Sequence, residues 1–146
     1  MAQQQLTVHP NVKIVQRMYE CFAQGDMNSL KADVFAPDLV WKLPGHHPLG
    51  GVKQGPDEVI AFFRQLLEAG IVVDLISVIG TDDYVVEVHR GHSDTGEVKL
   101  DTLNCTVYQI RAQRISEVQV YLSDQYGADA FFWAGYRLKP IPERLA

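Results

Sequence analysis

The chain has two cysteines, no cluster of basic residues and no apolar run of membrane length, and each shortage removes a class of protein. Cys21 and Cys105 are too few for a disulfide framework. They fall in a predicted helix and a predicted strand, where a free thiol packs as a small hydrophobe, and no local motif marks either as a nucleophile. Thirteen basic against eighteen acidic residues leave a net charge of -5. With no Lys/Arg stripe to track phosphates, nucleic acid is not an expected partner. The longest apolar stretch, Gly70 to Gly80, is interrupted by Asp74 and falls short of the roughly 18 residues a membrane span needs. Met1 to Pro10 is polar and lacks the basic-then-apolar order of a secretory signal, so a cytoplasmic protein with no membrane partner is expected. Without that signal, the sequon Asn104-Cys105-Thr106 reads as a chance match inside a strand. There is no glycine-rich phosphate loop, nucleophile elbow or Cys-x-x-Cys, so no cofactor is expected.

What is present describes one α+β domain. At 146 residues a chain buries roughly 65 to 70% of its unfolded surface, enough for a core without metal or disulfides. Val12, Val15, Met18, Tyr19 and Phe22 recur at helical spacing up to Gly25. Asp26 caps a second helix carrying Met27, Leu30 and Val34, which Pro37 ends. Leu39 to Leu43 reads as a short strand, and Pro44 to Gly51 as a loop. Gly55-Pro56-Asp57-Glu58 opens a third helix, with Val59, Ile60, Phe62, Phe63, Leu66 and Leu67 on its apolar face. The period then becomes two. Ile71–Ile79, Tyr84–Arg90, Leu100–Ile110 and Ile115–Leu122 read as an antiparallel meander, with one closing helical turn over Ala128–Trp133. The single domain spans 1–146, with an N-terminal arm at 1–10 and a C-terminal arm at 136–146. The helices must cover one face of the sheet.

Particular words of this order resemble the nuclear transport factor 2-like superfamily, which includes ketosteroid isomerase, limonene epoxide hydrolase and the SnoaL-like polyketide cyclases. They are Tyr19-Glu20 through Gly25-Asp26, Phe35-Ala36-Pro37-Asp38-Leu39-Val40-Trp41, Pro44-Gly45, Gly51-Val52-Lys53-Gln54-Gly55, Val107-Tyr108-Gln109-Ile110, and Asp124 through Phe132. The resemblance implies a strongly curved antiparallel or mixed sheet wrapping three helices into a cystatin-like cone. It also implies an interior apolar pocket and a homodimer formed through the outer face of the sheet. Chemistry does not follow from the fold, which hosts unrelated activities.

Against that family, the strand carboxylate that serves ketosteroid isomerase as base falls, counted from Pro44, at Leu43, so steroid isomerisation is not expected. The family's oxyanion-hole tyrosine falls at Met18, one residue before Tyr19, which either points its hydroxyl into the cavity or is plain core. Matching Tyr108 places Asn104 where the family has a protonated acid, and an amide donates to an oxyanion without any pKa shift. Strand alternation offers a rival, because Asp101, Leu103, Cys105 and Val107 share a face. If that face is interior, Asp101 is the inward acid or base; otherwise it is solvated. Asp124 continues the phase of Val118, Val120 and Leu122 and is either an inward acid/base or the cap of the turn after it.

His89 suits a general base if it faces the cone, although Val86 and Val88 make the opposite face the more apolar and turn it outward. His46 and His47 lie on a pocket rim or an ordinary loop. Neither that pair nor His89 with His92 has zinc-site spacing. Trp41, Phe62 and Phe132 supply aromatic surface for a flat hydrophobic ligand.

Two functions compete on these residues. One is a cofactor-independent acid/base enzyme of isomerase, cyclase, dehydratase or epoxide-opening type, acting on a small hydrophobic or polycyclic substrate. Its catalytic groups would be Asp124, Asp101, His89 and Tyr19, with Asn104, Trp41, His47, Phe62 and Phe132 holding substrate. The other is a non-catalytic ligand-binding or protein-interaction module of the same fold.

Overall fold

The computed structural model describes residues 8–135. The C-terminal arm and the first seven residues of the N-terminal arm lie outside the described residues. Helix α1 (Val12–Gln24) buries Val12, Val15, Met18, Cys21 and Phe22, and ends where Gly25 takes φ +71°, a left-handed cap that favours glycine. Asp26 then caps α2 (Met27–Ser29), accepting from the Ser29 N–H. The turn widens into a π-helical segment, Leu30–Val34.

The chain turns to strand earlier than the proline suggests, since β1 runs Phe35–Leu43. Pro37 does not end the helix; it sits within β1 where the register to β6 (Arg114–Leu122) is interrupted between Phe35 and Val40. Its missing N–H therefore costs no ladder bond. A short strand β2 (Gly51–Gln54), which sequence reading leaves in a loop, pairs back on β1 and feeds α3 (Gly55–Glu68).

The expected meander is present as β3 (Val72–Gly80), β4 (Tyr84–Ser93), β5 (Leu100–Arg111) and β6, all antiparallel. β1 pairs parallel to β6, which makes one mixed, curved and unclosed six-stranded sheet in the order β2-β1-β6-β5-β4-β3. The closing element is a full helix, α4 (Gln125–Gly135), rather than one turn.

The helices fill the concave side. α3 lies against β1 and α4 against β5. Phe63 is met edge-on by Phe22 at 5.2 Å and by Trp41 at 5.1 Å between ring centroids, geometry in which aromatic quadrupoles attract. Cys21 is core as expected, whereas Cys105 is half-buried on the outer face. That convex face carries Val86, Leu103 and Tyr121 in the open.

Candidate active site

The concave face leaves a cavity of about 100 Å³ between the sheet and the helices. α1 and α3 line it with Met18, Phe22, Phe62, Phe63 and Leu66, β1 with Trp41 and Leu43, and α4 with Ala128 and Phe132. The polar groups gather on the wall formed by β4 and β5: His89, Thr102, Asn104 and Tyr108, with Tyr19 approaching from α1.

Alternation on β4 sends Val85, Glu87, His89, Gly91 and Ser93 inward. Glu87 is wholly buried, 0% exposed, and a buried carboxylate survives only if its lone pairs are occupied. Three donors occupy them. Tyr19 Oη donates to Oε1 at 2.7 Å, Tyr108 Oη at 3.1 Å, and His89 Nδ1 lies 2.9 Å away. Burial, with the Glu87 charge as a further cause, holds the Tyr19 phenol well above its ordinary pKa. Burial does the same to Tyr108, reinforced by Tyr19 and Glu87. Both stay protonated as donors at neutral pH.

On its other side His89 Nε2 meets Asn104 Nδ2 at 3.0 Å. The amide is oriented by Thr102, whose hydroxyl donates to Asn104 Oδ1 at 3.0 Å. An amide N–H directed at Nε2 requires a lone pair there, so the proton of a neutral imidazole resides on Nδ1, facing Glu87. A base lone pair at the cavity wall, its tautomer held by a buried carboxylate, is the arrangement that general-base catalysis needs.

The structure corrects several orientations expected from sequence. His89 faces in, not out; the apolar Val86–Val88 phase is the convex surface. The choice between Asp101 and Asn104 resolves in position: Asn104 is 7% exposed on the cavity wall. Asp101 is on the outer face, forked by Arg90 Nε and the Arg90 terminal nitrogen at 2.8 and 2.9 Å, which hold its carboxyl below the usual range.

Asp124 is not inward. β6 ends at Leu122, the period-two phase is lost at Ser123, and Asp124 Oδ1 accepts the Gly127 N–H at 2.9 Å as the cap of α4. Tyr19 reaches the cavity, but its proton is given to Glu87 rather than held free for an oxyanion. Trp41, Phe62 and Phe132 line the cavity.

His47 does not line it. It is stacked on Phe132 at 4.6 Å, accepts the Leu49 N–H at Nδ1, and leaves Nε2 buried, 3.9 Å from Asp129. His92 bonds Asp74 on the convex side, so the two histidines of His89-Arg90-Gly91-His92 are on opposite faces. Among the described residues no three metal-ligating groups come together. Glu87 was not a sequence candidate; its signal is that it stands two residues before His89 on one face of a central strand.

A curved α+β cone enclosing a cavity with one polar wall defines a nuclear transport factor 2-like protein. The chain belongs to the SnoaL-like domain family, whose model matches residues 15–118. It is similar to the uncharacterized protein Rv0034 of Mycobacterium tuberculosis, 29% identical over 133 residues that cover 88% of this chain and all of the relative. Among solved structures it is similar to Bal32a from a soil-derived mobile gene cassette, with a TM-score of 0.77 and 29% identity over 84% of this chain and 95% of that one. It also resembles TerC co-crystallized with polyporic acid, with a TM-score of 0.72 and 16% identity over 84% and 98% of the two chains; at that identity the likeness is one of fold.

Proposed function

We propose that the protein is a cofactor-independent proton-transfer enzyme acting on a small, largely apolar carbonyl compound. His89 is its general base, Glu87 the group that positions it, and Asn104 the donor to the developing oxyanion. The observation that carries this reading is the Glu87–His89–Asn104 line, in which one Asn104 N–H holds the Nε2 lone pair at 3.0 Å and the other has no protein acceptor among the described residues, on the polar wall of an otherwise apolar cavity. As the substrate α-carbon gives its proton to Nε2, the hydrogen bond from Asn104 to that lone pair is released, and the C–H electron pair becomes the enolate, whose oxygen takes the other Asn104 N–H. The imidazolium then returns the proton to the same carbon or to a conjugated one. Low dielectric around the site strengthens both the base–carboxylate and the amide–oxyanion interactions. Isomerisation, cyclisation and dehydration share this enolate step.

Deuterium exchange tests it. Cyclohexanone and 2-tetralone in D2O should lose α-protons faster with the wild-type protein than in buffer, and His89→Ala should remove the acceleration. Equal rates with and without protein sink the catalytic reading.

A second reading, a ligand-binding module, is favoured by the predominantly apolar lining and by Asn104 already bonding the Nε2 lone pair. It predicts cavity occupancy without exchange. In either case we propose a homodimer through the convex face, where Leu103 and Tyr121 are 52% and 56% exposed; apolar groups so placed on a sheet favour a partner surface.

A further inference from the structure

Gly91 stands near the end of β4, two residues before Ser93, buried and facing the cavity. Glycine weakens a strand interior, because it loses the most backbone freedom on folding and offers no side chain to pack. The backbone does not demand it, since Gly91 is not among the glycines at positive φ. Packing does bear on it, because a Cβ built there would stand 3.3 Å from Asn104 Nδ2, a tight contact, with Thr102 Cγ2 at 3.9 Å; the glycine keeps the space in front of the amide clear. Across the inner face its strand neighbours are Val73 and Thr102, so the missing side chain is a notch between them, about 6.6 Å along the strand from His89.

The notch opens onto Asn104. One N–H of that amide goes to His89 Nε2; the other has no protein acceptor among the described residues. An oxygen accepting it would lie about 2.9 Å from Nδ2, comparable with the 3.3 Å between Nδ2 and the Cβ position of residue 91.

We infer that Gly91 is a specificity-determining residue: the space it leaves seats the substrate's acceptor oxygen, a carbonyl in the ground state and an enolate after proton removal, against Asn104. The inference rests on the proton-transfer reading and narrows its substrate to molecules whose oxygen is small and unbranched, with the apolar body directed at the aromatic helices. A methyl at position 91 takes the oxygen's place and crowds the Asn104 amide.

Phenol and toluene, alike in size but for the acceptor oxygen, serve as probes. Wild type should bind phenol about tenfold more tightly than toluene, as one hydrogen bond gives, and phenol alone should shift the Asn104 side-chain amide resonance. Gly91→Ala should bind toluene nearly as well as wild type and lose both the phenol preference and the amide shift. Unaltered phenol preference in Gly91→Ala overturns the inference. Should that variant not fold, the wild-type amide resonance decides alone: movement with phenol supports the assignment, and none overturns it. Phenol that perturbs His89 but not the Asn104 amide defeats only the seat at Gly91, whereas probes that perturb neither defeat the proton-transfer reading as well.

Discussion

Glu87 and His89, two residues apart on one face of β4, form a buried pair in which Nδ1 lies 2.9 and 3.0 Å from the two carboxylate oxygens. Period two makes this contact local, so the strand itself supplies the alignment that other folds build from distant segments. Glu87→Gln keeps the volume and removes the charge. It should mix the imidazole tautomers, visible as altered ring nitrogen chemical shifts, and lower proton-exchange activity by about two to four orders of magnitude. Unchanged nitrogen shifts would show that Glu87 does not set the tautomer. Glu87→Ala strands three donors and should cost about 3 to 5 kcal/mol, read by denaturant unfolding.

Tyr19 and Tyr108 titrate above their ordinary range in the fold because burial, with Glu87 beside them, opposes phenolate. Their folded pKa values exceed the unfolded ones, so the stability they contribute is complete below about pH 10 and is lost as the pH rises beyond it. Thermal melts between pH 8 and 11 should show this alkaline loss, and Tyr108→Phe should flatten it. A Tyr108→Phe profile parallel to wild type would contradict the linkage.

His47 behaves in the opposite sense. Desolvation is the main cause holding its pKa below the usual histidine value, and Asp129 partly offsets it. The folded state therefore binds this proton less well than the unfolded chain. Stability is full above about pH 6.5 and falls as the pH drops through that value. Melting temperatures from pH 8 to 5 should decline more steeply in Asp129→Asn and less steeply in His47→Phe.

Asp124→Ala tests the cap. It should cost about 1 kcal/mol of stability and leave proton exchange intact, as should Asp101→Asn. Loss of exchange in a well-folded Asp124→Ala would restore Asp124 to the chemistry.

The proposed dimer has a direct check in Leu103→Glu, which places a charge in the exposed apolar band. Sedimentation should give a dimer for wild type and a monomer for the variant. A monomeric wild type rules the assembly out.

The helices, the four-strand meander and the cone were legible in sequence because periods of 3.6 and 2 and the turn residues act locally. The inner face of β4 was not. Both phases of that strand are credible interiors: Val86 and Val88 are apolar, while Glu87 and His89 are polar yet mutually satisfied. Apolarity marks an inside only where outward positions are polar, and Val86, exposed on the convex face, breaks that rule. Asp124 misled for a different reason, since extrapolating an alternation past Leu122 assumes that the strand continues, and Ser123 ends it. Asn104 was reached by matching Tyr108, a comparison that carries register where hydrophobicity does not.

The parallel pairing of β1 with β6 joins Trp41 to Val118, so the first strand, already paired with β2, gains its second neighbour only after most of the domain has been synthesised. Until then the edge of β1 that β6 covers has no partner. Contacts so far apart in sequence slow folding, and exposed apolar surface in the interval invites aggregation. The domain closes when a strand from its first third adds to one from its last, so the strand order builds a late, non-local step into its folding.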